Sequence, residues 1–196
     1  MKRLTESERA LLLVLVIVAA LAWLGYRYRI HIEAWWWHFR HGEAVAMADY
    51  VVPAPTNWYV EDADDTNAVL VLMDTDKRIG GAWREGKLPF TAVIDASERL
   101  QTWTTDKLDL WTSFQTSFLK KRGIEPNFQK FSLNGESLSC VGGQKFSQVV
   151  NGRQFLASDP NIWSCESSSR LSLHITATDG SMQQVWNIVS RIHKKS

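Results

Sequence analysis

A chain of 196 residues with 45% hydrophobic and 22% charged residues lies near globular averages, which excludes wholesale disorder, collagen-like repeats and low-complexity architecture. The formal net charge of +1 leaves no basic surface to displace phosphate counterions, so nucleic acid is not an expected partner. The 10 Trp favour boundaries as well as cores, since each ring couples a large apolar body to one N–H donor.

Residues 1–9 read as a cytoplasmic N-terminal tail and residues 10–26 as a transmembrane helix. From Ala10 to Leu24 the chain runs ALLLVLVIVAALAWL without a charge. Adding Gly25 and Tyr26 brings it to the short end of the roughly 17 to 25 residues that span a bilayer. At about 1.5 Å per residue this covers about 25 Å. Trp23, Tyr26 and Tyr28, with snorkelling Arg27 and Arg29, then have to supply the remainder at headgroup level. A cleaved signal peptide is the competing reading, because Ala20-Leu21-Ala22 has small residues at signal-peptidase spacing. Against it, Trp23 would follow the cut and the apolar run continues beyond Ala22. The signal-anchor reading predicts a single-pass protein of the inner membrane. Lys2, Arg3 and Arg9 precede the helix while Arg27, Arg29 and Arg40 follow it, so basic-residue bias does not choose the orientation.

Residues 27–47 form a Trp-rich juxtamembrane segment, with Trp35, Trp36, Trp37 and Phe39 among His31, His38, Arg40 and His41. Two placements are open. The rings can rest at the bilayer interface with basic residues near lipid phosphates, or pack on the following domain or a partner helix. His38, His41 and Glu43 do not complete a coordination sphere, and no metal or cofactor is expected.

Residues 48–196 read as one soluble α+β domain. Tyr50–Pro53 and Asn57–Val60 look like two strands of a hairpin around Pro-Ala-Pro-Thr. Glu61, Asp62, Asp64 and Asp65 lack the order of a calcium loop and read as a solvated turn. Ala68–Met73 and Phe90–Ile94 predict interior strands. The glycines and proline of IGGAWREGKLP between them predict an exposed connection. A helix is predicted from near Asp106, with Asp109 in its first turn, to Lys120, Lys121 and Arg122, capped by Gly123. Leu108, Trp111, Phe114 or Gln115, Phe118 and Leu119 would form its core face.

Gln129–Leu133, Asn134-Gly135 and Ser137–Val141 then predict a hairpin with a type I′ turn, followed by a loop from Gly142 to Pro160. Ile162–Glu166 predicts a strand. Leu171, Leu173, Ile175 and Ala177 alternate with polar residues, giving a strand with one buried face and His174 pointing outward. Asp179-Gly180 reads as a turn, and Ser181 with Gln184 as a capping box opening a last helix through Met182, Val185, Trp186, Val189 and Ile192. His193 falls in a basic tail.

The two cysteines, Cys140 and Cys165, are 25 residues apart, both on predicted strands. If paired, they stabilise the fold by about 3.5 kcal/mol in the chain-entropy model and place the domain in an oxidising compartment such as the periplasm. Two buried free thiols are the alternative.

The element order, the stretch Val52-Pro53-Ala54-Pro55-Thr56-Asn57-Trp58 and the closing amphipathic helix resemble the PsbP-like fold over about Asp49 to Ile192. The resemblance implies a largely antiparallel sheet with helices packed on it in an α/β/α sandwich, and transfers no functional residue. The anchored arrangement also resembles small membrane-anchored bacterial proteins of unassigned function. Neither HExxH nor GxSxG occurs, and Ser167–Ser169 read as a polar turn, so no catalytic residue is assigned. The expected function is a non-enzymatic, membrane-tethered extracytoplasmic module for protein binding or assembly in an envelope complex, with lipid bilayer and another envelope protein as partners. The alternative is a small-ligand carrier or enzyme with an aromatic pocket between sheet and helix.

Overall fold

The computed structural model describes residues 6–73, 90–133, 136–144, 149–150, 153–154 and 161–195. Helix α1 (Glu6–Arg27) begins ahead of the uncharged run, with Glu6 and Glu8 in its first turn and Arg27 in its last, charges that complement the helix dipole. None of its residues is buried, and it is long and apolar enough to cross a membrane. Its 22 residues extend about 33 Å, the thickness of a hydrocarbon core. Helix α2 (Arg29–His41) follows after one non-helical residue, Tyr28. Backbone bonds continue through that break: Tyr28 N–H donates to the Leu24 carbonyl and Ile32 N–H to the Tyr28 carbonyl, both at 2.9 Å. No linker separates the anchor from α2.

The remaining elements are β1 (Ala44–Met47), β2 (Tyr50–Pro53), β3 (Tyr59–Ala63), β4 (Asn67–Met73), β5 (Phe90–Glu98), α3 (Thr105–Lys121), β6 (Asn127–Leu133), β7 (Glu136–Gly143), β8 (Val149–Val150), β9 (Arg153–Gln154), β10 (Asn161–Ser167), β11 (Leu171–Ala177), α4 (Asp179–Val189) and β12 (His193–Lys194). A seven-stranded antiparallel sheet has the order β3-β4-β5-β11-β10-β7-β6, and a smaller one the order β1-β2-β12. Strands β8 and β9 form a separate two-stranded pair. The α+β class with a largely antiparallel sheet is as the sequence predicts, and β4 and β5 are interior strands.

The opening hairpin is different from expectation. Tyr50–Pro53 pairs with Ala44–Met47 on one side and with His193–Lys194 on the other, while Tyr59–Ala63 joins the large sheet beside β4. Pro53 and Pro55 offer no N–H for a returning ladder. The chain between them is held instead by Ala54 N–H to the Glu43 carbonyl and Trp58 N–H to the Pro55 carbonyl. It therefore carries the backbone from one sheet to the other.

Helices cover both faces of the large sheet, as in an α/β/α sandwich. On one face Leu70, Ile94, Leu138, Leu171, Leu173 and Ile175 join Val185, Ile188 and Val189 of α4 and Met47, Tyr50 and Val52 of the small sheet in the main core. On the other, Val141 of β7 packs with Leu119 and Ile124 at the end of α3. Helix α3 stops where Gly123 adopts φ +73. Gly123 N–H donates to the Lys120 carbonyl and Ile124 N–H to the Leu119 carbonyl, the two bonds of a Schellman motif, closed by the apolar contact of Ile124 with Leu119.

Four local expectations are corrected. Asp109 lies beyond the first turn of α3, whose N-cap is Thr104. Phe114 and Phe118 are exposed, so the core face is Trp111 and Leu119 with half-buried Leu108 and Gln115. Helix α4 starts at Asp179 behind Thr178, and Asp179-Gly180 form its first turn in place of a preceding turn. Gly142 and Gly143 continue β7 rather than opening a loop. A Cβ at Gly142 would lie 2.4 Å from both the Ile162 carbonyl oxygen and the Trp163 ring, so the close approach of β10 requires glycine there. The Asn134-Gly135 turn, the connection over residues 79–89 and most of the Gly142–Pro160 segment lie outside the described residues.

Candidate membrane-interface site

Helix α2 carries apolar side chains on two opposite faces. Residues three and four apart share one side of a helix, so Ala34, Trp37, His38 and His41 form one face and Ile32, Trp35, Trp36 and Phe39 the other. Ala34 and His38 are buried and Trp37 packs against the main core. His38 fixes this docking, its Nδ1 lying 2.8 Å from the Gly42 carbonyl and its Nε2 2.9 Å from the Trp58 carbonyl. A neutral imidazole has one N–H and hydrogen-bonds through one of these contacts. His41 turns back to the Trp37 carbonyl at 3.0 Å, so both histidines hold backbone. Among the described residues no group of three or more His, Cys, Asp or Glu is arranged to hold a metal.

The opposite face is open. Ile32, Trp35, Trp36 and Phe39 are exposed, Phe39 by 70%. Phe39 stacks on Trp35 at 5.6 Å and on Trp36 at 5.9 Å between ring centroids, and the Arg40 guanidinium stands 5.3 Å from the Trp36 ring. Trp37 therefore does not share the surface predicted for it with Trp35, Trp36 and Phe39. Ile32 does share it, and its spacing to Trp35, Trp36 and Phe39 was the signal available in the sequence. At the end of α1, Arg27 lies 5.5 Å from the Trp23 ring and 5.9 Å from that of Tyr28, while Trp23, Tyr26 and Tyr28 are exposed. Arg29 opens α2.

Cys140 and Cys165 are direct cross-strand partners on β7 and β10, with Cα atoms 3.9 Å apart, and form a disulfide. The bond ties two interior strands within the main core, where both residues are buried.

Among the described residues, charged side chains cluster around the β10–β11 turn. Arg99 pairs with Glu166 at 2.8 Å, donates to the Ser167 and Ser169 carbonyls at 2.6 and 3.2 Å, and stacks 3.9 Å from the centroid of Trp103. Burial pushes the Glu166 carboxyl upward in pKa, against the hydrogen bond from Ser172 and the charge of Arg99, and burial lowers that of Arg99. Burial also opposes ionisation of Glu136, yet hydrogen bonds from Ser169 and Lys194 hold its carboxyl below the ordinary value. Arg170 pairs with Asp49 and Glu98, and Tyr50 with Ser169. Every partner here is another group of the fold, which makes the cluster a clamp joining both sheets at one end of the molecule.

Ser164, His174 and Asp95 lie side by side on adjacent strands. Ser164 Oγ is 3.3 Å from His174 Nδ1, but no hydrogen bond joins Asp95 to His174 among the described residues. The row thus lacks the contact that would orient the imidazole as a base.

No protein-family model matches the chain, and no curated protein matches it. Among solved structures it is similar to the Ran-binding protein Mog1p of Saccharomyces cerevisiae, with 14% identity and a TM-score of 0.38 over 76% of this chain and 93% of that one. At that distance the similarity carries no functional argument.

Proposed function

We propose that the chain is a single-pass, membrane-tethered module whose domain stands on the extracytoplasmic side, in the periplasm below an inner-membrane anchor, and serves protein binding or assembly in an envelope complex without chemistry of its own. The observation that carries this reading is α2: it follows the anchor without a linker, docks one face on the domain and turns Ile32, Trp35, Trp36 and Phe39 away from it. Trp rings and a flanking Arg suit the headgroup boundary, where an apolar body and a polar tip are both satisfied. Helix α2 then acts as a spacer wedged between lipid and domain, fixing the height and tilt of the sheet over the membrane. The disulfide supports an oxidising compartment.

Mass spectrometry of the protein from its native membrane, with thiol alkylation under non-reducing conditions, tests this. An intact N-terminus with Cys140 and Cys165 unlabelled is the expected result. A full-length chain labelled at both thiols would put the domain in the cytoplasm and end the reading.

A further inference from the structure

We draw no further inference here: the strongest candidate, the exposed stripe of Leu110, Phe114 and Phe118 along α3, is an apolar face flanked by charges of both signs, Asp106 and Lys107 before it and Lys121 and Arg122 after it, and nothing in the structure shows what covers it.

Discussion

Helices α2 and α3 are built alike and used differently. Each has a docked face and an exposed aromatic face with an arginine on a ring: Arg40 with Trp36, and Arg122 with Phe118. In α2 the two faces are opposite, so whatever meets the outer face is held a helix width away from the domain. In α3 they adjoin, so the exposed stripe widens an interface the fold has already begun. Under the proposed function the aromatic face that continues directly from the anchor meets lipid, whereas the stripe on α3 lies across the sheet, with Asp106 and Lys107 before it and Lys121 and Arg122 after it. Aromatic content alone does not separate the two helices; what precedes each of them does.

The comparison breaks first on the docked sides. Leu119→Ala removes the buried contact that seats α3 on Val141 and should cost about 3 kcal/mol, read as a lower denaturation midpoint of the full chain in micelles. An unchanged midpoint would mean α3 is not seated on this sheet face. Trp37→Ala is expected to cost about 2 kcal/mol, less than a fully buried aromatic because Trp37 is only partly covered. Gly142→Ala, which brings a methyl against the Ile162 carbonyl and Trp163 between the two packed layers, should also cost about 2 kcal/mol. By contrast, Phe39→Ser and Phe114→Ser change exposed positions and should move stability by at most about 0.5 kcal/mol. A loss of 2 kcal/mol at either would show that face to be covered within the molecule.

The smallest effect is one of pH, beneath α3. Glu166 lies on the α3 face of the sheet with its carboxyl pKa raised by burial. The native state therefore binds more protons than the unfolded chain between the ordinary carboxylate value and the raised one, and stability falls as pH rises through that window. In Glu166→Gln this decline should vanish, although the midpoint is lower throughout because Arg99 loses its partner. Retention of the slope would assign it to another group. Asp64 has the opposite sign: backbone hydrogen bonds from Thr66 and Asn67 lower its pKa, so its contribution is present above the ordinary carboxylate value and fades on acidification.

Much of the frame was legible where local chemistry decides it. The uncharged run marked α1. The basic residues and Gly123 marked the end of α3, and the alternation of Leu171, Leu173, Ile175 and Ala177 marked β11 with its buried face. Long-range pairing was not legible. Ala44–Met47 reads as the tail of the aromatic segment, and β12 has two residues, too few for any period, so the small sheet left no signal. Ser181 with Gln184 has the spacing of a capping box, yet Thr178 already ends the extended chain and the helix absorbs Gly180. For the candidate site, aromatic content grouped Trp37 with Trp35, Trp36 and Phe39, which helical spacing separates, and spacing itself does not say which face meets the domain, because both are aromatic. That choice is marked by His38, whose Nε2 reaches the Trp58 carbonyl of the domain.

The direct test of the account is tryptophan quenching in vesicles whose lipids carry bromine near the headgroup end of their acyl chains, with the full-length chain reconstituted. If Trp35 and Trp36 lie at the interface, the quenchable share of the emission falls in W35F/W36F and holds in W37F. An equal quenchable share in the wild type and W35F/W36F would contradict the account, because Trp23 alone would then meet lipid and the aromatic face of α2 would look elsewhere.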